Sequence, residues 1–372
     1  MVSSPRLWRQ YDVGLLVLVA MLLLIGLLAV YSATRAFPSS FTHQLLWVTL
    51  GLLAMVVATM YDYRSLARAA LPLYAFALVL LVAVRLHGHS VLGAKRWISV
   101  GGFQLQPSEI AKLILVISLA RFLSWRKEQG KEKSLSTFVG ACLLAAPMGL
   151  LVVLQPDLGT SIVLLAILAA MVYFGGVPKR YLALAVALLI LCTPVVLHFL
   201  HSYQRQRLVI FLNPGKDPLG AGYSLIQAKI AVGSGGIFGQ GFLAGSQAQL
   251  GFLPESSTDF IFAPFAEEWG LVGVLVLLTL FGILLIRMLQ AASVTSDPFG
   301  YLLVTGFAMM IFFQVAINVG MNVGLAPVAG IPLPFISVGG SAMVTDLTAM
   351  GIVQSVLLRR RPIILPHWGS ES

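Results

Sequence analysis

Long apolar runs separated by short polar segments dominate this chain. Counting the runs that can cross roughly 30 Å of hydrocarbon, at about 1.5 Å of helix rise per residue, predicts about ten transmembrane helices. The predicted spans are Val13–Ser32, Gln44–Met60, Ala70–Leu86, Ile110–Leu123, Thr137–Leu154, Gly159–Phe174, Tyr181–Leu200, Trp269–Ile286, Tyr301–Met321 and Gly340–Leu358. The pattern therefore predicts an all-α polytopic membrane protein, with residues 1–372 forming a single integral membrane domain.

Composition agrees with this pattern. Of the 372 residues, 58% are hydrophobic and 10% are charged, and the mean hydropathy is +0.92. These values exceed those of a soluble protein of similar length. Cys142 and Cys192 both lie within apolar runs, so the sequence indicates neither a disulfide framework nor a cysteine metal site.

The positive charges predict the orientation of the helices. The net charge is +10, but Lys and Arg occur in short clusters between apolar runs, so we expect no nucleic-acid partner. All these clusters fall on one predicted side, which the positive-inside rule makes cytoplasmic. Both termini are then cytoplasmic, and the loops at 87–109, 155–158, 201–268 and 322–339 face outward. The large extracytoplasmic loop 201–268 lies between the seventh and eighth helices.

This large outer loop is the one extended region of the chain that is polar and dense in ionisable side chains. Near its end, Asp259 follows Ser257 and Thr258 and precedes the aromatic run Phe260–Phe262. An acid in this position is compatible with ordinary helix-start chemistry. An aspartate at a membrane boundary that faces a polar loop is also placed as a general base would be.

Two further acids, Glu109 and Asp157, lie where helices are predicted to start on the outer side. Glu109 and Lys112 are three residues apart, hence on one helix face, and Lys112 falls just within the apolar layer, where a charge costs roughly 2.5–3.5 kcal/mol on insertion scales. The pair is either a structural ion pair or part of a polar cavity. Asp157 either caps the following helix or joins the same cavity, since its predicted depth matches that of Glu109.

The predicted outer loops also contain arginines, glycine-rich turns and a proline-rich segment. Arg205 and Arg207 have the chemistry either to clamp a diphosphate bidentately or to bind outer-leaflet lipid headgroups. The glycines of Gly233–Gly241 predict tight turns, because no strand precedes them and no Lys-Ser/Thr follows them as in a nucleotide-binding loop. The proline-rich apolar segment 326–341 cannot be regular helix, and we expect it to line the same site.

Several of these motifs together resemble the SEDS family (shape, elongation, division and sporulation) over nearly the whole chain. Within that family, Tyr203–Arg207, Asp217–Tyr223 and Gln247–Glu255 are similar to elongation-type rather than division-type members. The segments that carry the resemblance are Gly93–Trp97, Gln106–Lys112, Gln155–Ser161, Tyr203–Arg207, Leu253–Gly270 and Pro327–Ser341.

The resemblance implies a peptidoglycan glycosyltransferase that polymerises lipid II at the outer face of the cytoplasmic membrane. It also implies a class B penicillin-binding protein as the transpeptidase partner, together with other membrane proteins of an elongation complex. Motif by motif, the family's essential aspartate falls on Asp259 and its cavity residues fall on Glu109, Lys112 and Asp157. Arg96 and Arg205 match further basic positions, which adds Arg96 to the predicted substrate-binding residues.

The sequence departs from the family pattern at two positions. Ser257 stands where the family usually has a histidine before Thr-Asp, and Gln240 stands where it has a lysine between two glycines. The carboxylates also raise the possibility of a divalent cation such as Mg²⁺ or Mn²⁺, although their spacing defines no metal site. The alternatives to the glycosyltransferase hypothesis are a flippase for lipid-linked precursors, a noncatalytic scaffold and a division-type paralogue.

Overall fold

The computed structural model describes residues 11–35, 38–91, 94–100, 103–199, 207, 209–220 and 222–359. Three short strands are β1 His89–Val91, β2 Ala94–Val100 and β3 Phe103–Leu105. The α-helices are α1 Val13–Ala33, α2 Pro38–Met60, α3 Tyr63–His87, α4 Pro107–Glu128, α5 Leu135–Val153, α6 Leu158–Phe174, α7 Lys179–Phe199, α8 Tyr223–Ser234, α9 Ser246–Gln249, α10 Phe262–Ser293, α11 Pro298–Asn322 and α12 Gly340–Leu358.

Each predicted span corresponds to a described helix of 17 to 32 residues. Seven of the described helices, α1, α2, α3, α5, α10, α11 and α12, are long and apolar enough to cross a membrane, and α6 is a shorter apolar helix. The helices α4 and α7 complete the predicted set. The prediction of a helical polytopic membrane protein is confirmed, and the chain is an integral membrane protein.

The helix α12 lies at the centre of the bundle. In its most apolar 18-residue stretch, 89% of the residues are buried, compared with 67% in α11. The corresponding share is 22% in α2 and in α3, which therefore lie at the periphery. The helix α12 packs along α2, while α11 contacts α4, α6 and α10. Polar side chains carried by α11 and α12 are consequently enclosed by protein.

Acidic N-caps define several helix starts. The Asp12 carboxylate accepts a hydrogen bond from the Leu15 N–H at 3.0 Å, and Asp297 accepts one from the Gly300 N–H at 3.0 Å. Such caps satisfy amide groups that lack a partner in the first helical turn. Asp12 also pairs with Arg287 at 2.7 Å, which joins the start of α1 to α10.

The helix α10 begins at Phe262 rather than at the predicted Trp269, and it breaks inside. Gly270 has φ 63° and ψ −165°, a conformation that only glycine adopts readily. The break divides α10 into a short segment before Gly270, called the outer segment after the predicted orientation, and a long segment after it. The outer segment follows directly after Asp259.

The glycine-rich turns fill this break. The Gln240 N–H donates to the Glu267 carbonyl at 2.9 Å, and the Leu271 N–H donates to the Gly236 carbonyl at 2.9 Å. These bonds satisfy backbone groups that the break removes from the helical ladder. A side chain at Gly239 would collide with the Glu268 carbonyl. Of the predicted turn segment Gly233–Gly241, Gly233 and Ser234 end α8 instead, and the turns that begin at Gly235 fix the angle of the outer segment.

A small β-sheet and the helix α8 lie within the loops that are predicted to face outward. The strands β1, β2 and β3 form an antiparallel sheet within the loop 87–109, where no strand was predicted. The helix α8 lies within the predicted loop 201–268, packs on α10 and α11, and buries Leu225, Ala228 and Ala231. Both elements cover the end of the bundle where the candidate site lies.

Candidate active site

Four loops that are predicted to face outward lie at one end of the bundle. The Ser337 hydroxyl donates to the Thr258 carbonyl at 2.7 Å, and the Gln106 N–H donates to the Ser341 hydroxyl at 2.8 Å. Arg96 reaches the turn at 155–157. The loops 87–109 and 155–158 therefore contact each other, as do the loops 201–268 and 322–339. Gln106 joins the first pair to the start of α12, and segment 326–341 borders the Asp259 turn.

Asp259 lies in the turn that precedes α10 and is partly buried. Burial, and secondarily the negative charge of Glu255, raises the pKa of the Asp259 carboxyl to about 6. Arg207 and Arg96 act in the opposite direction, and burial prevails. A carboxyl with this pKa is largely ionised at neutral pH, yet basic enough to accept a proton.

Arg207 shares a corner of the site with Asp259. Its Nη1 donates to the Val328 carbonyl at 2.8 Å. A Cβ placed on Gly330 would lie 3.2 Å from Asp259 Oδ2 and 3.7 Å from Arg207 Nη1, so both charged groups border Gly330. The second predicted arginine, Arg205, lies outside the described residues.

Asp157 is 1% exposed and is surrounded by donors. It accepts hydrogen bonds from the Thr160 hydroxyl at 2.9 Å, the Ser108 hydroxyl at 3.3 Å and the Gln106 amide at 3.3 Å. Arg96 Nη1 lies 3.7 Å from its carboxylate. Asp157 is thus the N-cap of α6 and also joins α6 to α4 and β2.

The guanidinium of Arg96 is engaged by the same turn. Its Nε donates to the Gln155 carbonyl at 3.4 Å, and its Nη2 donates to the Pro156 carbonyl. With the Asp157 contact, every nitrogen of the group faces the 155–157 turn. In this conformation Arg96 anchors the 155–157 turn. Its positive charge also acts electrostatically on Asp259 and lowers the pKa of that carboxyl.

Glu109 and Lys112 form a buried ion pair. Lys112 Nζ lies 2.8 Å from Glu109 Oε2, and the two side chains are 1% and 2% exposed. Both interact electrostatically with Asp346 of α12, which is itself 1% exposed. Asp346 is not among the site residues predicted from the sequence. The predicted residues therefore form two neighbouring groups, an outer one around Asp259 and an inner one around Lys112, joined through Ser108.

Two more buried acids hold the outer segment of α10 in place. The Glu267 carboxylate accepts hydrogen bonds from the Ser246 N–H at 2.8 Å and from its hydroxyl at 2.9 Å. Glu268 accepts a hydrogen bond from the Ser32 hydroxyl of α1. Both side chains were predicted only as part of the outer loop. They link α9 and α1 to the segment that follows Asp259.

No group of three or more His, Cys, Asp or Glu side chains within the described ranges is arranged to hold a metal ion. The carboxylate of Asp157 is already surrounded by donors, and that of Glu109 is paired with Lys112. The divalent cation remains a prediction.

Comparison with known proteins identifies the family. Residues 13–361 match the family model for FtsW, RodA and SpoVE, described as cell cycle protein. The chain is 40% identical over 351 residues to the peptidoglycan glycosyltransferase MrdB of Escherichia coli (strain K12), covering 94% of each protein.

Solved structures agree with this assignment. The crystal structure of the rod shape determining protein RodA from Thermus thermophilus matches with a TM-score of 0.72 and 32% identity, over 94% of this chain and 97% of that chain. A second solved structure, described as structural coordination of polymerization and crosslinking by a peptidoglycan synthase complex, contains a chain that matches with a TM-score of 0.80 and 35% identity. The match covers 93% of this chain and 97% of that chain. The chain therefore belongs to the FtsW/RodA/SpoVE family, the SEDS family that its motifs resemble.

Proposed function

We propose that this protein is a peptidoglycan glycosyltransferase that polymerises lipid II into β-1,4-linked glycan strands during cell-wall elongation. The observation that carries the proposal is Asp259, a partly buried carboxyl with a pKa of about 6 that borders the same glycine as Arg207. A base and a cation side by side suit a reaction in which a hydroxyl loses a proton while a diphosphate leaves. The relatives named as peptidoglycan glycosyltransferases support the same activity.

The reaction forms one bond and breaks one. The 4-hydroxyl oxygen of the acceptor sugar attacks the anomeric carbon of the donor, and the bond from that carbon to the diphosphate oxygen breaks. Asp259 takes the hydroxyl proton, and the bonding pair leaves with the polyprenyl diphosphate. One inversion converts an α-linked donor into a β linkage, so no second carboxylate nucleophile is required.

Positive charge offsets the charge that develops on the leaving diphosphate. Arg207 is the described arginine placed nearest Asp259 for this role, and Arg205 is its predicted companion. Lys112 directs its ammonium group to Glu109 and is 1% exposed. The Glu109–Lys112 pair follows Ser108, whose hydroxyl donates to Asp157, and in the proposed site Lys112 supplies positive charge from within the bundle. Asp157 and Arg96 hold the adjoining turn.

The setting follows from topology. The positive-inside rule, applied to the basic clusters of the sequence, supports an extracytoplasmic position for the Asp259 end of the bundle in the cytoplasmic membrane. A polymerase at that face produces uncrosslinked strands, so it requires a transpeptidase. A class B penicillin-binding protein is the proposed partner, within an elongation complex of membrane proteins, and the similar chain from a peptidoglycan synthase complex supports this pairing.

The main alternative is a flippase for lipid-linked precursors. The buried charges of Glu109, Lys112 and Asp346 are the observation that favours it, because intramembrane charges often mark transport pathways. A reconstitution experiment separates the two functions. Purified protein is inserted into vesicles that contain lipid II and no other polymerase, and both glycan strands and lipid II translocation are measured.

We expect strands long enough to separate on a gel, with translocation no faster than in empty vesicles. Strands of this kind disappear on digestion with a muramidase, which verifies the linkage. Translocation without strand formation would contradict the proposal and support the flippase.

A further inference from the structure

A fully buried amide lies beneath the turn that carries Asp259. Asn318, near the end of α11, is 0% exposed. Its Nδ2 donates to the Asp259 carbonyl at 2.9 Å and to the Ile331 carbonyl at 2.7 Å. Both protons of the amide nitrogen are used in this way. A single side chain thus ties the Asp259 turn to the segment 326–341.

Ile331 follows directly after the glycine that separates the two charged groups of the site. Gly330 has φ +67° and borders both Asp259 Oδ2 and Arg207 Nη1. Arg207 is itself bonded to the Val328 carbonyl of the same segment. The position of the Ile331 peptide therefore determines where the carboxylate and the guanidinium stand relative to each other.

We infer that Asn318 is a positioning residue for glycosyl transfer: by binding the main chain of Asp259 and Ile331, it maintains the spacing between the Asp259 carboxylate, Gly330 and Arg207. The inference rests on the proposed function. Asn318 does not touch the reacting atoms and acts through Asp259. An error of about 1 Å in the placement of a catalytic group can reduce the rate by a factor of roughly 100.

A neighbouring asparagine supports the same arrangement. The Asn322 amide donates to the Asn318 carbonyl at 2.9 Å and, at 3.3 Å, to the Asp259 carbonyl. Asn318 and Asn322 are separated by one helical turn, so both side chains lie on one face of α11. Two buried amides on one face of α11 converge on the Asp259 carbonyl, which indicates a requirement at Asp259 beyond packing.

Two variants separate positioning from packing. Asn318→Asp keeps the shape of the side chain and removes its amide protons, while Asn318→Ser retains one donor. Thr305→Val on the same helix is the matched control, because the Thr305 hydroxyl donates to the Tyr301 carbonyl of its own helix. Each protein is purified by size exclusion, and kcat and KM for strand synthesis are expressed per folded molecule.

We expect kcat to fall at least about tenfold in Asn318→Asp and by less in Asn318→Ser, because misplacement of the base affects the chemical step. KM should stay within about threefold of the wild-type value, since substrate contacts remain. The control should match wild type. A kcat per folded molecule that equals wild type in Asn318→Asp would overturn the inference, whatever the yield of folded protein.

A second readout does not depend on activity. Modification of Asp259 by a hydrophobic carbodiimide, followed by mass spectrometry, reports the protonated fraction of its carboxyl at each pH. The wild-type midpoint should lie near pH 6, and Asn318→Ser should shift it to lower pH, because a displaced carboxyl is better hydrated. An unchanged midpoint would also contradict the inference. If the wild type made no glycan, the proposed function would fail, while the labelling would still test Asn318.

Discussion

Removing the Lys112 ammonium should destabilise the protein much more than neutralising its partner. Lys112→Met leaves Glu109 and Asp346, two buried acids, without the cation that both of them face. Glu109→Gln leaves Lys112 facing Asp346, which can release its proton and become the counter-charge once Glu109 is neutral. The asymmetry follows from the structure, because a simple two-residue ion pair would lose similar stability from either side.

The size of the expected loss in stability can be estimated from the distance between Lys112 and Glu109. At 2.8 Å and an effective dielectric constant of about 20, the attraction is about 6 kcal/mol before desolvation is subtracted. Breaking a buried pair from one side typically costs about 3–5 kcal/mol. We expect a loss in this range for Lys112→Met and about 1–2 kcal/mol for Glu109→Gln, where a charged hydrogen-bond partner is replaced by a neutral one.

Equilibrium unfolding in mixed detergent micelles measures these free energies. The variant Lys112→Met with Glu109→Gln and Asp346→Asn removes every charge of the group and should recover most of the loss, since neutral replacements of a buried ionic cluster are often tolerated. The reasoning would be refuted if Glu109→Gln were at least as destabilising as Lys112→Met, or if the triple variant were no more stable than Lys112→Met alone.

Two further predictions concern the outer group. Because the Asp259 pKa is about 6, kcat/KM should be level above pH 7 and fall about tenfold per pH unit below pH 6. Glu255→Gln removes a charge that raises this pKa and should move the acidic limb to lower pH. A wild-type acidic limb centred near pH 4 would contradict the assignment. Gly239→Ala should lower the unfolding free energy by about 1–3 kcal/mol, because φ is +81° and a Cβ would collide with backbone. Gly233→Ala, where a Cβ meets open space, is its control, and equal stabilities would argue against the role given to the turn.

The apolar pattern predicted the fold because a membrane forces each spanning segment to satisfy its own backbone hydrogen bonds. The pattern failed where polar residues enter a helix. Glu267 and Glu268 interrupt the apolar run, so the predicted helix began at Trp269 instead of Phe262. The strands β1 and β3 have three residues each, too few for alternation to be visible, and the residues of β2 were assigned with them to the loop 87–109.

The candidate site was predicted in part. Asp259, Asp157 and Arg96 do converge, but pattern alone left open whether Asp157 was a cap, and the contacts show that it is one. Asn318 and Asp346 were missed, although both are polar residues inside predicted spans, which is the available signal for buried function in a membrane helix. The partners of these side chains come from distant parts of the chain, and sequence spacing does not reveal them.

The central claim is that Asp259 is the base of a strand-forming glycosyltransferase. The most direct measurement is the rate of glycan synthesis from lipid II by purified Asp259→Asn, beside wild type and the matched carboxylate control Glu255→Gln, at pH 7.5. The account predicts a loss of at least about 100-fold for Asp259→Asn, the lower range for general base catalysis, and a Glu255→Gln rate within about twofold of wild type. An Asp259→Asn protein that is folded and polymerises lipid II at the wild-type rate would contradict the account.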